Sequence, residues 1–193
     1  MSSRRDASVG ITNENTAAGV YHARVFQIVV FPPEETRAAV EPFRRLHDPA
    51  FHRVSPHVTL VPPFEEADAR ALRGRLAAQR SVAPATLTFA EPRVLGRALC
   101  VPVDDGDGRL AAFLRGLRDS VLPLSARLQE NDDVPSLRVG LLGTDAELEL
   151  ARRSFVATAV RLAPFAPESL VLLMDDVRGL WHEVQSVPWP GRP

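Results

Sequence analysis

Short runs of β-branched and aromatic residues alternate with helix-patterned segments along this chain, and the order occurs twice. From Ala23 to Phe31, the residues Val25, Phe26, Ile28, Val29, Val30 and Phe31 suit a largely buried strand, stopped by Pro32-Pro33. Pro33 and Glu34-Glu35 then suit a helix start. Ala38, Ala39, Phe43 and Leu46 follow at roughly helical spacing, with Pro42 expected to kink or break the helix. A second strand is expected at Val58 to Val61, fenced by Pro56 and Pro62-Pro63, and a helix at Glu65 to Gln79, where Ala67, Ala71, Leu72 and Leu76 gather on one side. Further strands are expected at Ala85 to Phe89 and Ala98 to Val103. The second half repeats the order: a helix at Leu110 to Leu122, a strand at Leu137 to Leu142, a helix at Asp145 to Ala159, and a closing strand pair at Leu170 to Met174 and Trp181 to Val187. Alternation in two similar halves predicts an α/β or α+β sheet built from a duplicated unit, not an all-helical bundle.

A chain of 193 residues, 45% of them hydrophobic, supports one well-buried core. Residues 21–188 are therefore read as a single domain. The Ser-, Thr- and Asn-rich stretch 1–20 reads as a disordered leader and 189–193 as a tail. The net charge of −1 gives no overall field that would gather nucleic acid or an anionic membrane, so an anionic ligand must be held locally. Every basic residue is Arg, which genome composition explains as readily as function. Cys100 is the one cysteine, set in the apolar run Ala98-Leu99-Cys100-Val101, and reads as a buried inert thiol. No stretch approaches a membrane span and no signal-peptide core opens the chain, so the expected location is the cytoplasm. The carboxylates of Asp104-Asp105-Gly106-Asp107-Gly108 are spaced superficially like a calcium loop, but no glutamate follows in register; a turn is expected there, with no metal and no cofactor. Nothing in the sequence speaks for or against self-association.

The stretch Pro56-His57-Val58-Thr59-Leu60-Val61-Pro62-Pro63-Phe64 is the most informative for function. On a strand alternate side chains share a face, so Val58 and Leu60 would meet the core while His57 and Thr59 point the other way. That face offers an imidazole able to move a proton near neutral pH, beside a hydroxyl able to donate to an oxyanion. In this, the sequence resembles the two-histidine phosphoesterases, and its proline-flanked motif resembles their 2′-5′ RNA ligase-like branch. The resemblance covers roughly Ala23 to Val187. It implies an α+β, bilobal fold with antiparallel sheets forming a central cleft and helices outside. It also implies that each half supplies a His-x-Thr strand, so that one imidazole takes a proton from attacking water and the other returns one to the departing ribose oxygen of a cyclic phosphate.

Aligned by the same Pro-then-alternating pattern, the second motif falls at Pro135-Ser136-Leu137-Arg138-Val139. Ser136 stands where His is expected and Arg138 where Thr is expected. Serine has no pKa near neutrality; Arg138 would instead bring a permanent charge suited to phosphate oxygens. His57 and Thr59 are thus the expected catalytic residues, Ser136 and Arg138 the substrate-binding ones. The two motif strands are expected side by side, with His57 and Ser136 across one cleft. His182 is the reserve candidate for a second imidazole, although a solvent-facing structural role suits it better. His22 at the head of the first strand lacks the motif, and His47 and His52 read as exposed loop positions. Trp181 and Trp189 could stack on a base but suit packing better. Two readings stay open: an enzyme acting slowly on 2′,3′-cyclic or 2′,5′-linked phosphates, and a module that binds a nucleotide or RNA end bearing a phosphate without efficient turnover.

Overall fold

A computed structural model describes residues 24–123, 126, 134–158 and 160–190. In chain order the elements are β1 (Arg24–Val30), α1 (Glu34–His47), a 3-10 turn (Phe51–Arg53), β2 (Val58–Glu66), α2 (Ala69–Ala77), β3 (Thr88–Phe89), β4 (Arg93–Leu95), β5 (Ala98–Asp104), α3 (Arg109–Val121), β6 (Ser136–Leu141), α4 (Asp145–Ala157), β7 (Ser169–Asp175) and β8 (Trp181–Pro188). The strands form one open antiparallel sheet in the order β3-β5-β6-β2-β1-β7-β8, with β4 added to β5. The fold is α+β, as expected. His22 and the leader lie outside the described residues.

The continuous apolar run of β1 follows from burial on both faces. Phe26, Ile28 and Val30 enter the main core with residues of all four described helices, whereas Val29 joins a smaller cluster with Val171 and Leu173 on the opposite side. The same alternation in β6 buries Leu137 and Val139 and leaves Ser136 and Arg138 half-buried.

Several local expectations are corrected. Pro42 lies inside α1, which runs on unbroken, and the buried face of that helix is Thr36, Val40, Phe43 and Arg44; Leu46 is 79% exposed. Arg44 takes the buried place because its guanidinium finds partners there, the Asp48 carboxylate and the Val54 carbonyl. Pro62-Pro63 does not end β2. The partner residues Phe26↔Phe64 and Ile28↔Val61 leave both prolines unmatched in a bulge, where a missing N–H costs no ladder bond. The strand therefore takes Phe64 to Glu66, so Glu65 and Glu66 belong to β2 and not to the helix expected from Glu65. Helix α2 starts at Ala69 under an Asp68 side-chain cap. Finally, β7 and β8 do not complete a second half. They return to flank β1, so that one half-sheet (β2, β1, β7, β8) joins the two ends of the chain and the other (β3 to β6) is its middle.

Candidate active site

The two half-sheets meet along a seam of only two residue pairs, Val58↔Leu137 and Thr59↔Ser136. Val58 and Leu137 are fully buried, so Thr59 and Ser136 share the opposite face, and continuing that register one residue beyond the start of β2 brings His57 opposite Arg138. All four expected site residues therefore come to one place, three of them on two adjacent strands and His57 immediately before β2. A cavity of about 490 Å³ opens beside them, lined in part by Thr59, Ser136, Cys100 and Val134. Ser136 lies directly opposite Thr59, and the residue facing His57 is Arg138.

His57 Nδ1 is 2.8 Å from the Ser55 carbonyl oxygen. A carbonyl only accepts, so Nδ1 carries the proton and, in the neutral ring, Nε2 holds the lone pair. The edge-to-face contact with Phe31, 6.2 Å between centroids, limits how the ring can turn. Burial lowers the His57 pKa to about 4; the Ser55 hydrogen bond opposes this, the charges of Arg44 and Arg138 add to it, and Asp48 partly offsets them. At neutral pH the group is an uncharged imidazole and a weak base.

Arg138 is not a free cation. Its Nε donates to Asp48 Oδ2 at 3.2 Å, and the Asp48 side chain has no solvent exposure. Arg44, in the last turn of α1 and 2% exposed, donates to the same oxygen at 3.4 Å. Both terminal nitrogens of Arg44 also donate to the Val54 carbonyl, each at 3.2 Å, one residue before the carbonyl that holds His57. Asp48 Oδ1 accepts from the Ala50 N–H at 3.0 Å. Sequence reading missed Arg44 and Asp48. The available signal was their i,i+4 spacing at the end of a helix followed by Pro49, a pattern shared with many solvent-exposed pairs.

Cys100 is the strand partner of Arg138, and it faces the cavity instead of the core. Burial pushes its thiol pKa up, against the smaller opposing effects of the Ser136 hydroxyl and the Arg138 charge. None of the other described histidines joins the site. The His47 ring packs on Phe43, 4.3 Å between centroids, on the helix side; His52 sits against Phe51 in the exposed 3-10 turn. His182 pairs with Asp176 at 2.8 Å on β8, three strands from β2 and so roughly 14 Å away at ordinary strand spacing. Trp181 packs on the Val29 cluster, and Trp189, 3% exposed, donates its Nε1–H to the Pro84 carbonyl at 2.7 Å. The acidic turn spends its carboxylates on its own backbone: Asp105 accepts from Gly108 and Leu110, Asp104 from Gly106, and Asp107 from Arg109. Among the described residues no cluster of three or more His, Cys, Asp or Glu is placed to hold a metal.

Two antiparallel half-sheets with helices on one side form a phosphoesterase-like fold. The model of the 2′-5′ RNA ligase superfamily matches residues 32–178, and the chain belongs to that superfamily. This bears out the resemblance carried by Pro56 to Phe64. Among solved structures, E. coli LigT complexed with 3′-AMP is similar with a TM-score of 0.61 at 16% identity, covering 89% of this chain and 100% of its own. LigT complexed with ATP gives 0.58 at 16% identity, with 88% and 99% covered. The protein TT0787 of Thermus thermophilus gives 0.53 at 20% identity, with 88% and 100% covered. At these identities the likeness is one of fold. No curated protein matches the chain.

Proposed function

We propose that the seam cleft binds the phosphate of a nucleotide or RNA end, and that the protein acts slowly on 2′,3′-cyclic or 2′,5′-linked nucleotide phosphates because one proton-transfer group is missing. The observation that supports this reading is the register, which puts one imidazole, two hydroxyls and one guanidinium at neighbouring positions along the seam. His57 Nε2 takes a proton from the attacking water. The hydroxyls of Thr59 and Ser136 and the terminal nitrogens of Arg138 donate to the non-bridging oxygens as their charge grows. On the leaving side the site is deficient. In-line displacement puts nucleophile and leaving oxygen on opposite sides of phosphorus, out of reach of one imidazole, and a guanidinium holds its proton too tightly to act as an acid. That the similarly folded LigT is complexed with 3′-AMP and with ATP supports a nucleotide-phosphate ligand.

The second reading, a binding module without turnover, draws on the same deficiency and on the low pKa of His57, which leaves the site no acid at pH 7. One experiment separates them: hydrolysis of 2′,3′-cyclic nucleotides by the wild type and by His57→Ala. Slow turnover abolished by His57→Ala supports the enzyme. Binding of the cyclic nucleotide with turnover no faster than in His57→Ala supports the module. Fast turnover requires a second proton carrier and overturns the account of a deficient site.

A further inference from the structure

The functional groups on the two motif strands share one support that lies on neither strand. We infer that the buried Arg44–Asp48 pair is a positioning device for the site, with Asp48 aiming the Arg138 guanidinium into the cleft while Arg44 fixes the loop that sets the His57 tautomer. This inference rests on the phosphate-binding reading given above. A guanidinium presents either its Nε edge or its terminal edge to a partner. Asp48 Oδ2 takes Nε at 3.2 Å, and among the described residues the two terminal nitrogens of Arg138 have no hydrogen-bond partner. The fork that grips phosphate best is thereby left pointing away from Asp48, on a side chain 38% exposed. On the other branch, Arg44 holds the Val54 carbonyl with both terminal nitrogens, and the next carbonyl, Ser55, accepts the Nδ1 proton of His57.

The cluster is poorly explained as a stability device. A buried ion pair is weak evidence for stability, since desolvation offsets its attraction, and Arg44 Nε is buried with no hydrogen-bond partner among the described residues. Removing one member alone would strand a buried charge and could unfold the chain, so the decisive variant removes both. Arg44→Met with Asp48→Leu deletes one positive and one negative charge, so the net charge is unchanged and the volume stays filled, while Glu41, which Arg44 also pairs with at 3.3 Å, stays partly exposed beside Arg45. A purely electrostatic role for the pair therefore predicts no loss of anion binding, whereas positioning predicts a loss.

The test titrates inorganic phosphate and 3′-AMP into the wild type, the double variant and Arg138→Ala. In parallel, nitrogen-15 spectra follow exchange of the Arg138 Nε–H with water, its resonance assigned by its absence from Arg138→Ala. With the melting temperature of the double variant within a few degrees of wild type, positioning requires roughly tenfold weaker phosphate binding, the worth of one charge-assisted hydrogen bond, and loss of Nε–H protection. Unchanged affinity, or an Nε–H still protected in the double variant, overturns it. Arg138→Ala binding phosphate as well as the wild type, or a wild type that binds neither probe, overturns the phosphate reading instead. The Nε–H exchange then decides the positioning role by itself.

Discussion

His57 carries its proton on the nitrogen facing the Ser55 carbonyl two residues earlier, so its chemistry is set by one near neighbour in sequence and by burial. That burial has a pH consequence. A folded-state pKa of about 4 against an ordinary 6.5 means that the unfolded chain binds the proton first as pH falls. Stability from this group is complete above pH 6.5 and is lost as pH drops toward 4. Urea denaturation at pH 7 and pH 4.5 should show the wild type losing about 2 kcal/mol more than His57→Gln between the two. An equal loss in both would mean that the imidazole is protonated as freely in the folded protein as in water. Arg138 yields a second expectation. Arg138→Ala should weaken phosphate binding by roughly 1.5 to 3 kcal/mol, the range for a hydrogen bond to a charged group, read by calorimetric titration. His57 and Thr59 were legible in the sequence because strand alternation is local, whereas Asp48 was not, since its partner Arg138 lies on a different element and only folding joins them.

Among the elements, local sequence marks where structure starts more reliably than which way it faces. Helix α4 opens with a capping box: Thr144 Oγ1 accepts from the Glu147 N–H at 3.2 Å and the Glu147 carboxylate accepts from the Thr144 N–H at 2.9 Å. Thr144→Ala should lower the unfolding free energy by about 1 kcal/mol in urea while leaving phosphate affinity unchanged, because α4 packs on the outer side of the sheet. A change in affinity would show that the cleft responds to strain on that helix. Helix α1 is the opposite case. Its spacing suggests an apolar face ending at Leu46, yet the chain buries Arg44, since a guanidinium with a carboxylate and a carbonyl to bind can be enclosed where an unpartnered one cannot. The bulge that absorbs Pro62-Pro63 is likewise a property of the pairing with β1, invisible to a reading of β2 alone.

Across the molecule, the seam between half-sheets decides what the cleft can do. Because His57 faces Arg138 and Thr59 faces Ser136, Ser136→His with Arg138→Thr would place an imidazole across from Thr59 and a hydroxyl across from His57, restoring two-fold chemistry about the seam. That double change should raise kcat/KM for 2′,3′-cyclic nucleotides by about tenfold or more, toward the ~10²- to 10⁴-fold that one general acid or base contributes. Each single change should do less. No gain in a well-folded double variant would place the deficiency in the surrounding loops. Neighbouring residues alone were enough to point to the superfamily, to the strand that starts directly after His57 and carries Thr59, and to the alternation that turns Ser136 and Arg138 to the same side, because a two-residue period and a proline fence are local patterns. The return of β7 and β8 to the first half-sheet, the placing of His182 three strands from the site, and the meeting of Asp48 with both Arg44 and Arg138 emerged only on folding. These depend on contacts between residues up to 150 positions apart, which burial of the shared core selects and no local pattern encodes.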